Sequence, residues 1–197
     1  MKTNLLSPVL SVFLLSQAVF LANAETHKPE DSGKRQHPMT RMIAPKSGGD
    51  FESAFLGMMV MHHKDGVAMA RMAKEKATDA ELREMAAKME TAQQKEIEKM
   101  QGWDEKWHDG RGVANAKPPE KSLQEHSETM AALTSAKGAE FDRLFARQMA
   151  KHHDGGIEMA EIAVDKAEHA EVKKLAQDIV AAQTEERKKL IEKAGSK

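Results

Sequence analysis

The chain has 197 residues, 30 Lys and Arg against 31 Asp and Glu, a formal net charge of −1 and no cysteine. That length suffices for one domain with a real core. The near-neutral balance excludes a general electrostatic pull toward nucleic acid or acidic membranes, and the missing cysteines exclude disulfides and thiolate metal sites.

Residues 1–24 are laid out as a signal peptide. Lys2 supplies the positive start, Leu5 to Leu21 an apolar run, and Ala22-Asn23-Ala24 a small-x-small cleavage site. Pro8 and Gln17 break the run, which argues against a retained membrane anchor, and the mature chain is expected to carry no membrane span. Residues 25–49 are rich in Pro, Gly, Ser and charge and read as a disordered leader holding His27, His37, Met39 and Met42.

The remainder, 50–193, is predicted to be helical, with apolar residues three and four apart and no strand alternation. The first helix is expected over about 50–77 with Asp50 as its N-cap. The second covers about 79–102, opened by the capping-box pattern Thr78-x-x-Glu81. Gly110, Gly112, Pro118 and Pro119 mark a loop over 103–120, and a short helix follows to about 135. Two further helices are expected over 139–167 and 169–193. This pattern predicts an all-α protein, a four-helix bundle of two hairpins with a long crossover and one accessory helix.

The two hairpins are copies of each other. A gapless offset of 90 residues superposes Phe51 on Phe141, Phe55 on Phe145, Met59 on Met149, His62-His63 on His152-His153, Gly66 on Gly156 and Met69-Ala70 on Met159-Ala160. About a third of the pairs between 51–102 and 139–193 are identical, well beyond chance. Residues 103–138 connect the copies.

Fourteen Met and nine His against six Phe, two Trp and no Tyr suggest more than core filling. Met is a poorly specifying core residue but a good soft ligand where thiols would oxidise. On a helical wheel His62 sits near the centre of the stripe formed by Phe51, Phe55, Gly66, Met69 and Ala73, with His63 about 100° away. His62 and His152 are therefore expected to face inward, and His63 and His153 to lie nearer the rim. Met59 stands three residues from His62 and four from His63, and Met149 repeats this, so each trio shares a helix face. The plain alternative is a satisfied core histidine beside filler methionines. A doubled His pair in one register, beside a Met one turn away, favours a metal. Gly66 and Gly156 cost helix stability of about 1 kcal/mol each and imply a close approach or room for imidazoles. Gln93, Glu96, Gln183 and Glu186 interrupt the apolar stripes of the second helices; they either bond an inward His or reach to the bundle edge.

Thioether with imidazole and without thiolate points to copper, Cu(I) in particular. Zinc normally takes Cys, His or carboxylate. A di-iron bundle needs two Glu-x-x-His pairs, and only Glu105-x-x-His108 occurs, in the interrepeat loop.

An aromatic-led helix carrying Met59, His62-His63 and Met69-Ala70, then a helix ending near Gln93 and Glu96, resembles the family known as domain of unknown function 305. Phe141, Met149, His152-His153, Met159-Ala160, Gln183 and Glu186 repeat the pattern. The resemblance implies a ferritin-like helical bundle, export to the periplasm or cell surface, and, for some relatives, copper binding and tolerance. It marks Met59, His62, His63, Met69, Met149, His152, His153 and Met159 as motif positions. The second copy departs from it with Gln148, Lys151 and Ile162 where the first has Met58, Met61 and Met72, so, if each copy holds a copper site, the first should bind Cu(I) better. The expected function is periplasmic buffering or carriage of copper without catalysis, the partners being a copper ion and other periplasmic copper-handling proteins. A metal-dependent redox enzyme such as a cuprous oxidase, and a metal-free structural or stress-related module, stay open beside it.

Overall fold

The computed structural model describes residues 36–195, which fall in one compact unit, Arg35–Lys197. The expected signal peptide and the first part of the leader lie outside the described residues. Seven helices follow in order among the described residues: α1 (Pro38–Ile43), α2 (Gly48–Lys76), α3 (Ala80–His108), α4 (Arg111–Asn115), α5 (Glu120–Ser135), α6 (Gly138–Lys166) and α7 (Ala170–Gly195). No strand occurs among them, and no helix there is long and apolar enough to cross a membrane.

α2 packs on α3 and α6 packs on α7, and the two hairpins join mainly through α2 against α6. The apolar residues form two clusters. One combines Phe51, Phe55 and Met59 of α2 with Ile97 and Met100 of α3, Met159 and Ala163 of α6, and Leu175 and Ile179 of α7. The other combines Met69 and Ala73 of α2, Leu82 and Met89 of α3, Phe141, Phe145 and Met149 of α6, and Leu190 of α7. Along every long helix the chain passes from one cluster to the other. The crossing point is where the polar residues stand: His62-His63, Gln93 with Glu96, His152-His153, and Gln183 with Glu186.

Each hairpin caps the other. Asp142 near the start of α6 accepts from the backbone amides of Thr78 (2.9 Å) and Asp79 (3.0 Å) and from the Thr78 hydroxyl, at the entry to α3. Glu52 on α2 accepts from the amides of Glu168 and His169 at 2.8 Å each, at the entry to α7. These bonds satisfy donors that a helix start leaves without an intrahelical partner.

Several local expectations differ. The leader is not unstructured throughout: Pro38 opens α1 at N1, and Met39 and Ile43, one turn apart, are buried in the first cluster. α2 begins at Gly48 after Ser47, ahead of Asp50. The α3 cap is Asp79, whose carboxylate accepts from Glu81 and Leu82, because Thr78 is engaged by Asp142. The segment expected as loop over 103–120 is largely helical. α3 runs on to His108, the chain reverses through Asp109 and Gly110 at positive φ, and α4 follows with its first amides, Gly112 and Val113, bonded to buried Asp104.

Candidate metal centre

α2 has two buried faces, one toward α3 and one toward α6, and the paired histidines divide between them. His63 turns to its own hairpin, where Nε2 lies 2.7 Å from Glu96 Oε2. His153 does the same with Glu186 at 2.8 Å. His62 and His152 turn instead to each other across the α2–α6 contact, ring centroids 3.8 Å apart, with His152 Nε2 donating to the His62 carbonyl oxygen at 3.0 Å. The rim assignment from the wheel is therefore wrong. His63 and His153 are fully buried, while His152 is only partly so. A wheel drawn around one inward direction cannot represent a helix packed on two sides.

The mid-helix glycines make this contact possible. A Cβ on Gly66 would stand 2.4 Å from Gln93 Oε1 and 3.0 Å from His152 Cε1. One on Gly156 would stand 2.4 Å from Gln183 Oε1 and 3.2 Å from His62 Cε1. Each glycine thus admits a glutamine from its own hairpin and an imidazole from the other. Glu96 and Glu186, not the glutamines, bond the histidines.

Hydrogen-bond direction fixes where the lone pairs lie. Carboxylate and carbonyl oxygens only accept, so His63, His152 and His153 donate from Nε2. A neutral ring then keeps its lone pair on Nδ1. All three Nδ1 atoms are buried without a partner, as are both ring nitrogens of His62. Burying a polar group without a partner is costly. A ring whose far nitrogen is anchored on a carboxylate or carbonyl is also the usual arrangement of a histidine metal ligand.

Beside the His62–His152 pair opens a cavity of about 290 Å³. Met69 lines it from α2, Met39 and His37 from the leader, and His126 from α5. His37 lies edge-on to His62 at 6.0 Å. Its backbone amide bonds both oxygens of Glu158, at 3.1 and 3.0 Å, and its ring fits over Gly155, where a Cβ would come within 2.9 Å. Gly155 replaces Asp65 of the first copy, a local departure from the repeat that marks where the leader crosses. Of the sequence candidates, His62, Met69 and His152 meet at this cavity. Met59, Met149 and Met159 are buried in the apolar clusters above and below it. The two copies thus bring their first histidines to one shared place. His37 and Met39, visible in the sequence only as a His and a Met in the leader, reach the cavity together with His126, for which the sequence carries no signal.

Burial, then the neighbouring imidazoles, hold His62 well below the usual pKa of 6.5. Burial, then His153 and His63, do the same for His152, against the bond to the His62 carbonyl. A depressed folded-state pKa means that the unfolded chain takes up protons first. The metal-free fold should therefore keep its full stability above about pH 6.5 and lose it progressively as pH falls toward the folded values. Urea midpoints of the metal-free protein at pH 7.5 and 5.5 measure this. An equal slope in a variant lacking both imidazoles would exclude them as the source.

The family described as "Domain of unknown function (DUF305)" matches residues 20–104 and 52–193. CopM in its Cu(I)-bound form is 32% identical to this chain over 72% of it and 93% of that chain, with a TM-score of 0.59. The Cu(II)-bound form of CopM is likewise 32% identical, over 73% and 96%, with a TM-score of 0.58. A DUF305 fragment from Deinococcus radiodurans shares the fold at 24% identity, covering 77% of this chain and 99% of that one, with a TM-score of 0.65. None of the curated proteins compared matches the chain.

Proposed function

The chain belongs to the DUF305 family, and from that membership we propose that it is an exported copper-binding protein that takes up Cu(I) between its two hairpins and buffers or carries it without catalysis. The observation that carries the reading is the set of buried imidazole nitrogens left without hydrogen-bond partners in the polar layer, on His62, His63, His152 and His153. At the same layer the thioethers of Met69 and Met39 line the cavity that His62 and His152 share. Neutral imidazole with thioether suits a soft monovalent ion, and the chain offers no thiolate to compete. CopM, bound to Cu(I), Cu(II) and Ag in its solved forms, supports copper as the ion taken up.

His62, His152 and Met69 are the residues on which the proposal rests. His63 and His153, held by Glu96 and Glu186, stand one position along the same helices. Bound copper would supply the positive charge that these lone pairs lack. The chain's own part is to orient the rings, exclude water and spread ligands over both hairpins, so that binding also ties the hairpins together.

The test is titration of metal-free protein with Cu(I) against a Cu(I) chelator, with a metal K-edge spectrum. A tightly held ion with both sulfur and nitrogen in its shell is the expected result. A shell of nitrogen and oxygen alone, or no Cu(I) taken from the chelator, would reject a soft Met/His centre.

A further inference from the structure

Far from the histidine layer, at the end of the bundle where α3 finishes and α7 begins, three potential ligands meet. Glu52 is fully buried. Its Oε2 is held by the amides of Glu168 and His169, which leaves Oε1 facing His108 Nε2 at 3.1 Å and His169 Nδ1 at 2.5 Å. The ligand atoms of these three residues all lie within 4.8 Å of one another. The His169 ring is stacked on Trp107 at 3.7 Å and 6°, and stands nearly perpendicular to the His108 ring at 86°. His169 is 34% exposed, so the cluster is reachable from one side.

The repeat supplies an internal control. Asp142, the counterpart of Glu52, caps α3 through Thr78 and Asp79 with no imidazole near its bonds. Capping the opposite hairpin therefore does not require histidines. At Glu52 two have been added, one on each hairpin, and both converge on the oxygen that the amides leave over.

We propose that Glu52, His108 and His169 form a second metal site, for a borderline divalent cation such as Zn(II) or Cu(II), chemically distinct from the Met-lined cavity. Two imidazoles and a monodentate carboxylate with an open fourth position are the donor set such ions take. The amides on Oε2 hold the carboxylate as supporting bonds to a metal ligand do. Bonds to zinc of about 2.0–2.1 Å at tetrahedral angles put ligand atoms roughly 3.3 Å apart, so Oε1 needs to part from each nitrogen by less than about 1 Å, while the two nitrogens already lie within 4.8 Å of each other. The metal takes the place of the protons on His108 Nε2 and His169 Nδ1, and each ring stays neutral by carrying its single proton on the other nitrogen, His108 Nδ1 and His169 Nε2. Because the ligands come from α2, α3 and the turn before α7, the ion would clamp the two hairpins at this end.

The experiment is calorimetric titration of untagged, metal-free protein with Zn(II), beside two variants: His169→Ala, at the most exposed ligand, and His62→Ala with His152→Ala. One equivalent should bind to the parent and to the cavity variant. His169→Ala should weaken that binding about 100-fold while leaving Cu(I) affinity as it was. Parent-like Zn(II) binding in His169→Ala, no Zn(II) uptake by the parent, or loss of Zn(II) only in the cavity variant would each overturn the proposal. A readout that needs no substitution is the nitrogen-15 imidazole spectrum of the parent. Zn(II) should move the His108 and His169 signals, and movement confined to other histidines would equally overturn it. Failure of Cu(I) binding with Zn(II) binding intact would reject the copper reading and leave this site standing.

Discussion

Replacing His62 and His152 together with Ala should lower Cu(I) affinity by about 100-fold or more. A closed metal site contributes roughly 10–16 kcal/mol over about four ligands, which is about 3 kcal/mol, or two decades in affinity, for each ligand lost. On the proposed reading one ion uses both rings, whose centroids lie 3.8 Å apart, so the double change removes a pair of donors at once. The metal-free variant should nevertheless stay folded. Truncation leaves space in the core, which costs stability. It also removes ring nitrogens of His62 and His152 that were buried without partners, which returns some of it. The bond from His152 is made to a backbone carbonyl within α2 rather than to a side chain that would be stranded. Chelator competition beside far-UV circular dichroism separates the two effects. Parent-like Cu(I) affinity in a helical double variant would mean that the imidazole pair only organises the core.

Gly57→Ala should cost about 2–3 kcal/mol, with a fall in Tm of roughly 5–10 °C. A Cβ there would lie 2.1 Å from the backbone oxygen of Gly112 and 3.2 Å from the Ala116 Cβ. Gly112 is equally tight from the other side, with its own Cβ position 2.1 Å from the Ser53 oxygen. α4 therefore rests backbone-to-backbone on α2, and neither partner is a flexible side-chain end that can turn aside. Helix propensity pulls the other way by only about 1 kcal/mol, so the clash wins. Gly102→Ala, in the exposed interior of α3 with nothing near its Cβ position, isolates that propensity term and should stabilise. A Gly57→Ala protein as stable as the parent would show that α4 can lift off without loss. In the second copy the position of Gly57 is taken by Arg147, as expected where no short helix packs.

The DUF305 pattern, the all-α class and the repeat were legible because they depend on periodicity and register, which a sequence displays directly. A strict 90-residue offset carries Met, His-His and Gly to matching places on two helices, and the fold keeps that register in the His62–His152 contact. Gly66 and Gly156 announce a spatial requirement, since only a nearby group explains a glycine twice in one helical position, and Gln93 with His152 and Gln183 with His62 are those groups. Glu96 and Glu186 likewise announced buried partners by interrupting apolar stripes.

Spacing along the chain establishes which residues share a helix face. What each face meets depends on how the helices pack. A wheel assigns angles, yet α2 is buried on two sides, so His62 finds the other hairpin and His63 its own Glu96. The leader's His37 and Met39 reach the cavity because Met39 and Ile43 bury between elements distant in sequence, a gain that local composition does not reveal. Glu52, His108 and His169 come from three separate elements and join only when one hairpin caps the other. Local spacing is set by bonds and helix geometry, whereas these meetings are set by which apolar surfaces pack together, and that is a property of the whole chain.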